Sequence, residues 1–358
     1  MSSNLNRVSL GVALLAVLAG SLVAQATTKV KAGKWTTKSQ VPKGWVMYET
    51  NHYQIQSQVG RDKAKRLAKH MEKMLRVYKK LFPPGKDGFL RRPVKLFKDR
   101  QAFLDYGAPP GAAGYYTYGK REMVCYDTGK WMDQEGVEGG PVTGDRPKSR
   151  REIYDELLNR SKMDLLGVMA HEGWHQYFHW YVVSLVSLPS WINEGMGDYF
   201  YAARPIPGKR SRRNKVELGR MNSSRLGIIK AAARDKRTVP LEKFVRYTQS
   251  QYYANPGVCY AQGWAFCQFL LHHESSKLRK VIPKYIRLVR DDTNTETVTK
   301  KAFKGIDLAA LDKEFLAWIP TLTAENQADL EELMDALRGD PEDEPAQPTS
   351  RPASRPSR

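Results

Sequence analysis

The hydrophobic and polar positions of the first half of the chain switch between strand-like and helix-like periods. Residues 47–58 (MYETNHYQIQSQ) alternate with a period of two, which predicts a strand. Apolar side chains then recur at steps of three and four from Ala64 to Tyr78, which predicts a helix with one buried face. RPVKLFKD predicts a strand, RQAFLDYG a short helix, and GYYTYGKREMVCYD two short strands around Gly119. This β-α-β-α-β rhythm predicts a mixed α/β half with a small sheet.

From Asp164 onward the pattern becomes helical. DLLGVMAHEGWHQYFHWYV predicts one helix, and Ser190 after Pro189 is expected to cap the next, WINEGMGDYFYAA. Further helices are predicted for YAQGWAFCQFLLHHES, KLRKVIPKYIRLVRDD and DLAALDKEFLAWI, and a closing helix for TAENQADLEELMDALRG, which Gly339 ends. The whole pattern predicts an α+β fold with a mixed N-terminal half and a helical C-terminal half.

The two ends of the chain differ in composition from its body. Residues 1–26 contain Arg7, an apolar run and the small-x-small pattern Ala24-Gln25-Ala26, which predict a cleaved signal peptide and an exported product, periplasmic or extracellular. Retention of this segment as an N-terminal anchor is the alternative. Residues 339–358 are too polar and proline-rich to fold. One domain is therefore expected over residues 27–338, with no transmembrane segment in the mature chain.

Charge and cysteine content narrow the possible partners. The formal net charge of +20 indicates attraction to an acidic polymer or envelope surface. The basic run 61–80 coincides with the helix predicted to bury one face, so its lysines and arginines are expected to lie on the solvent-exposed face rather than to form a nucleic-acid-binding surface. No recognisable module for specific nucleic-acid binding accompanies it. Any disulfide would have to include Cys125, because Cys259 and Cys267 on one helix would be about 12 Å apart. A packed core, rather than a disulfide framework, is expected.

The strongest chemical signal is HEGWH, at residues 171–175. On a helix, His171 and His175 leave the same face one turn apart, and Glu172 lies beside them. In this H-E-x-x-H pattern two imidazoles bind zinc and the glutamate acts as a general base. Zinc catalysis also needs a third protein ligand and an open position for water.

Two residues compete for the place of the third ligand. His179 would stand about 12 Å from His171 along the helix, too far for a shared metal, so we expect it to make aromatic or outer contacts. Glu194 follows His175 after eighteen intervening residues, which fits a loop between two helices. Asp198, one turn later, is placed to accept a hydrogen bond from a ligand histidine. Aromatic residues are expected to pack these two helices together: Trp174, Tyr177, Phe178, Trp191 and Tyr199.

HEGWH, the eighteen-residue gap and WINEG with an acid one turn later resemble the gluzincin metallopeptidases, the clan of thermolysin and aminopeptidase N. The resemblance covers residues 164–271 and implies a zincin-like fold with the active-site helix between the two halves. It also implies one Zn²⁺ per chain held by His171, His175 and Glu194, with Glu172 as the base. YAQGWA is similar to the Tyr-x-x-Gly helix start of aminopeptidase N relatives, which implies that Tyr260 stabilises the oxyanion. Exported bacterial proteins of the peptidase-MA-like group, of undefined substrate, are similar in the same way.

One family element is missing from the chain. Aminopeptidases hold a free substrate amine with Gly-x-Met-Glu-Asn, whereas GKREMVCYD occupies the similar place here. An endopeptidase is therefore favoured over an aminopeptidase. The expected substrate is a peptide or protein, aligned by backbone pairing along an exposed sheet edge.

Other interpretations remain open at this point. The histidines could be structural, and so could Tyr260, since eighteen tyrosines include the neighbouring Tyr252 and Tyr253. Two histidines and a carboxylate also describe non-haem iron oxygenases, although a helical H-E-x-x-H with an adjacent base favours hydrolysis. A catalytically weak or inactive zinc-containing module could bind an acidic envelope polymer or protein through its basic surface. The intact Glu172 speaks against that alternative, because a binding module needs no general base.

Overall fold

The computed structural model describes residues 34–84, 91–131, 163–182, 188–206 and 215–323, and its N-terminal half is built on one five-stranded sheet. The strands are β1 (Val46–Glu49), β2 (Tyr53–Ser57), β3 (Arg92–Phe97), β4 (Gly114–Thr117) and β5 (Glu122–Tyr126). Their order is β1-β2-β3-β5-β4, in which β2, β3 and β5 are parallel and the outer strands β1 and β4 are antiparallel to their neighbours.

The segment predicted as a single strand is a hairpin. β1 and β2 are separated by Thr50, Asn51 and His52, and the backbone N–H of Thr50 donates to the carbonyl of Tyr53 over 2.9 Å. Polar residues of this type favour turns because their side chains can replace backbone partners. Met47 before the turn and Tyr53 and Ile55 after it all fall on odd-numbered positions, so a period of two fits both strands and the pattern alone does not show the break.

Two helices accompany the sheet. The first, α1 (Arg61–Leu81), lies between the parallel strands β2 and β3 in the chain, and the second, α2 (Arg100–Asp105), is capped by Asp99, whose carboxylate accepts from Ala102 N over 2.8 Å. The predicted apolar face of α1 is confirmed, since all of the following are buried: Ala64, Leu67, Ala68, Met71, Met74, Leu75 and Tyr78. Burial of this face fixes α1 against the sheet, with its basic residues outward.

The second half is helical, as predicted, and the fold is α+β. It contains α3 (Leu165–Tyr177), one π-helical turn (Phe178–Val182), α4 (Ser190–Tyr201), α5 (Ser223–Arg234), α6 (Leu241–Phe244), α7 (Gln249–Ala254), α8 (Pro256–His272), α9 (Ser276–Arg279), α10 (Val281–Asp291), α11 (Thr295–Ala302) and α12 (Leu308–Trp318). Two short strands, β6 (Arg204–Pro205) and β7 (Val216–Glu217), pair with each other.

Several helix boundaries differ from those predicted: the helix expected from Tyr260 begins at Pro256, the one expected over residues 277–292 is divided into α9 and α10, and the entry to α4 also differs. Ser190 is the first helical residue of α4 rather than its N-cap, and Pro189 holds the cap position without a side-chain hydrogen bond. A proline fits there because its fixed φ suits the entry to a helix. α3, in contrast, is capped by Asp164, whose carboxylate accepts from Leu166 N and Gly167 N.

The main core joins the two halves. The rings of Tyr78 on α1, Trp174 on α3 and Phe200 on α4 meet with centroids 4.8–6.3 Å apart. The aromatic residues predicted to pack the two site helices are all buried. A smaller core covers the other face of the sheet and contains Trp35, Trp45, Phe97, Phe103 and Val124. The three cysteines are buried free thiols, so packing holds this fold together.

Some predicted segments lie outside the described residues. These are the signal peptide, most of the closing helix and the tail at 339–358. Within the described ranges, no helix combines the length and the apolar character needed to cross a bilayer.

Candidate metal centre

Helices α3 and α4 bring three donor atoms to one point. His171 Nε2 lies 3.2 Å and His175 Nε2 3.5 Å from Oε2 of Glu194. The ligand atoms of this group all lie within 4.8 Å of one another. Because one turn of α3 supplies both imidazoles and α4 supplies the carboxylate, the three side chains could hold a metal ion, as the sequence spacing predicted.

The outer nitrogen of each histidine has its own hydrogen-bond partner. His171 Nδ1 lies 3.2 Å from Oδ1 of Asp198, and His175 Nδ1 lies 3.0 Å from Oδ1 of Asn193. Both oxygens accept, so each Nδ1 carries a proton, and each Nε2 faces the shared point, where its lone pair is available to a metal ion once that nitrogen is deprotonated. Asp198 therefore lies where the sequence placed it. Asn193 has the same role and was not predicted.

Asp198 is buried and is itself held in place. Arg225 on α5 donates from Nε to Oδ2 of Asp198 over 2.6 Å, with a second contact of 3.4 Å to Oδ1. A buried carboxylate needs such a partner to offset its lost hydration. The Arg225 guanidinium also lies 4.9 Å from the ring centroid of Tyr260. This chain of contacts fixes the ring of His171 from outside.

The pKa shifts of the group favour an ionised Glu194 next to the two histidines. Burial acts to raise the pKa of Glu194, but His175 and His171 hold that pKa well below its usual range. Burial acts to lower the pKa of His171, yet Asp198 and Glu194 raise it to about 10. Glu194 and Asp198 thus stabilise positive charge at this point, whether the imidazoles or a bound cation carry it.

Glu172 sits between α3 and the edge of the sheet. Burial raises its pKa, whereas the two imidazoles and the backbone of Tyr116 on β4 act to lower it. β4 approaches α3 so closely at Gly114 that an added Cβ would lie 2.7 Å from Val168. The base predicted from H-E-x-x-H therefore lies at the outer edge of the described sheet.

Two tyrosines from α7 and α8 lie close to Glu194. The hydroxyl of Tyr253, on α7, donates to Oε1 of Glu194 over 2.8 Å. The ring of Tyr260, on α8, packs 6.1 Å from that of Tyr253, and burial followed by the Glu194 charge raises its pKa. The structure thus places Tyr260 near the donor set, while Tyr253 makes the direct contact. The sequence carries no signal that separates Tyr253 from the other tyrosines, because its role depends on a residue far away in the chain.

His179 does not belong to the donor set. It lies in the π-helical turn after α3, where its Nδ1 is 2.6 Å from the hydroxyl of Tyr116 and its ring is 4.8 Å from that of Tyr118. The expectation of aromatic contacts is confirmed. Tyr118 is 55% exposed; burial, followed by the charges of Glu194 and Glu172, raises its pKa, and the Asn193 side chain acts to lower it. These rings form one wall beside Glu172.

Comparison with known proteins gives a family without an assigned activity. A family model described as a protein of unknown function, DUF1570, matches residues 166–288, which include both site helices and Tyr260. No curated protein matches the chain. The similarity therefore covers the helical half that carries the donor set.

Proposed function

We propose that this protein is an exported zinc-dependent peptidase of the gluzincin type, with an endopeptidase favoured over an aminopeptidase. The observation that supports this most strongly is the convergence of His171, His175 and Glu194, with Glu172 beside them. The signal-peptide pattern of residues 1–26 supports export.

The donor chemistry fits zinc. Two neutral imidazoles and one carboxylate are the protein ligands of many catalytic zinc sites, and each histidine here has the outer hydrogen bond that fixes its tautomer. Zn²⁺ held by these residues would polarise a peptide carbonyl and lower the pKa of a water molecule. The same donors also suit iron, but H-E-x-x-H places a carboxylate base next to the ligands, which hydrolysis requires and oxygen activation does not.

Each nearby side chain has a specific task in this proposal. Glu172 accepts a proton from the attacking water and returns it to the leaving amine. The hydroxyl of Tyr260 donates a hydrogen bond to the oxyanion that develops on the carbonyl. The substrate lies extended along β4, the outer strand of the described sheet, and pairs with the backbone of that strand. The backbone of Tyr116 on this strand lies close enough to Glu172 to lower its pKa, so base and substrate backbone would meet here.

Metal content and turnover test the proposal together. The mature protein from Thr27 should bind about one zinc per chain, and the Glu194→Ala variant should lose most of it. Glu172→Gln should keep the metal and lose about 10²–10⁴-fold in hydrolysis of a peptide library. Glu274→Gln, the same change at an exposed position, serves as the control.

Two results would contradict the proposal in different ways. If neither the wild type nor any variant binds zinc after loading at neutral pH, the site is not a zinc site. If zinc binds but Glu172→Gln cleaves peptides as fast as the wild type, or neither cleaves any, the protein is a zinc-containing module without this chemistry. Binding of an acidic polymer through the basic surface would then become the leading interpretation.

A further inference from the structure

Two arginines meet one tryptophan just beyond the active-site helix. β3 and β5 are parallel with Val94 opposite Met123, so the register extended by two residues puts Arg92 beside Arg121. Arg92 shares the face of Val94, which enters the main core, and Arg121 lies in the turn just before β5. Their guanidinium carbons lie 4.7 and 4.5 Å from the ring centroid of Trp180.

This arginine pair is continuous with the wall of the candidate active site. The wall begins with Tyr118, which lies near Asn193 and whose ring contacts that of His179. The ring of Trp180 follows at 6.5 Å from that of His179. Aromatic rings thus lead without interruption from a partner of the metal ligands to Arg121.

The sheet register gives the position of Arg121 relative to the base. The backbone of Tyr116 lies beside Glu172, and Tyr116 pairs with Met123. Arg121, two residues before Met123, therefore stands roughly 7 Å further along the strand direction. A peptide paired along β4 would carry a side chain about two residues from its scissile bond to this place.

The chemistry of Arg121 suits a carboxylate. Among the described residues it makes no ion pair, and it is exposed, whereas Arg92 is only 2% exposed and adds a second fixed positive charge. A guanidinium stacked on an indole keeps its N–H edge available for a bidentate carboxylate contact. Arg121 also has φ of 53°, a left-handed conformation that costs a side-chain-bearing residue about 1 kcal/mol or more and that glycine would adopt freely. The chain keeps an arginine where backbone preference favours glycine.

We infer that Arg121, assisted by Arg92, forms a subsite that selects an aspartate or glutamate side chain about two residues from the scissile bond. This inference rests on the proposed peptidase function. It makes acidic peptide segments the substrate class, and it gives part of the basic surface a defined task.

Matched peptides test this subsite. Fluorogenic peptides that differ only in carrying Glu, Gln or Lys two residues from the scissile bond are assayed with the wild type and three variants. The variants are Arg121→Gln, Arg121→Glu and Arg287→Gln. The wild type should prefer Glu over Gln by about tenfold or more in kcat/KM, as expected for a bidentate charged contact. Arg121→Gln should bring that ratio near one, and Arg121→Glu should turn the preference toward Lys. Arg287 is exposed on α10, and its replacement should leave the ratio unchanged.

A binding measurement keeps this inference separable from the peptidase proposal. Fluorescence anisotropy with the Glu172→Gln variant reports affinity for the same peptides without turnover. If the wild type cleaves none of them, the peptidase proposal fails, while an Arg121-dependent preference for the Glu peptide in binding would still support the subsite. Cleavage or binding with no Glu preference, or with a preference that survives Arg121→Gln, would overturn the inference.

Discussion

Gly197 controls the position of His171, and replacing it with alanine tests the architecture of the centre directly. Gly197 lies on α4, between Glu194 and Asp198 in sequence, and faces the His171 ring. A Cβ at this position would lie 2.6, 2.7 and 2.8 Å from three atoms of that ring. Ordinary contacts between carbon atoms are about 3.5–4.0 Å, so the overlap is close to 1 Å.

The ring has little freedom to move away. Its two nitrogens lie 3.2 Å from Asp198 and 3.2 Å from Glu194, both of which are buried on the same helix as Gly197. Alanine in a helix gains about 1 kcal/mol over glycine, while forced overpacking costs about 1–3 kcal/mol. We therefore expect Gly197→Ala to lower the free energy of unfolding by about 1 kcal/mol net. Displacement of the ligand ring should weaken zinc binding about 10–100-fold, as loss of an orienting contact does.

Gly227→Ala is the matched control. Gly227 lies inside α5, and an added Cβ there would have no neighbour within 4 Å. This variant should gain up to about 1 kcal/mol of stability and keep its zinc affinity. Urea denaturation of the metal-free proteins and zinc titration by calorimetry measure both quantities. Equal zinc affinity and equal stability in the two variants would refute the argument that Gly197 makes room for the ligand.

Three further changes probe the surroundings of the site and the second core. Asp198→Asn should reduce zinc affinity about 10–100-fold in the same titration; an unchanged affinity would remove Asp198 from the group that orients His171. Tyr260→Phe should lower kcat about 10²-fold with zinc content intact, as loss of an oxyanion donor does, whereas Tyr253→Phe should weaken zinc binding because Glu194 Oε1 loses its donor; the reverse pattern would exchange their roles. Burial lowers the pKa of Lys95 from its usual 10.5 to about 8, so its protonation opposes folding below pH 8 and that cost disappears as pH rises to 10.5. Between those pH values the unfolding free energy of the wild type should rise relative to Lys95→Met by up to about 3 kcal/mol; a difference that does not change with pH would contradict this.

The parts of the fold that depend on local pattern could be predicted from the sequence. The buried face of α1 follows from steps of three and four residues, and the His171–His175 pair follows from helical spacing. Glu194 was also placed correctly, because the length of the gap limits how two helices can meet. In each case the information lies within one or two elements.

The contacts that could not be predicted join distant parts of the chain. Asn193, Arg225 and Tyr253 each hold a predicted site residue, but no spacing rule connects residues on separate helices whose packing is unknown. The break between β1 and β2 and the start of α4 at Ser190 were missed for a different reason. At the hairpin, the apolar positions before and after the polar turn residues have the same parity, so one strand fitted the pattern. At α4, Pro189 holds the cap position that serine usually holds.

The close crossing of α4 and α8 has a consequence for the order of events during biosynthesis. A Cβ on Gly195 would lie 2.4 Å from the carbonyl oxygen of Gly263, so the backbones of the two helices touch next to Glu194. A nascent chain that has produced only α3 and α4 lacks this support, and it also lacks Tyr253. Since metal affinity depends on a preformed site, tight zinc loading would have to wait until α8 has been synthesised and has docked. If the chain is exported unfolded under the proposed function, docking of α8 and metal uptake both follow translocation.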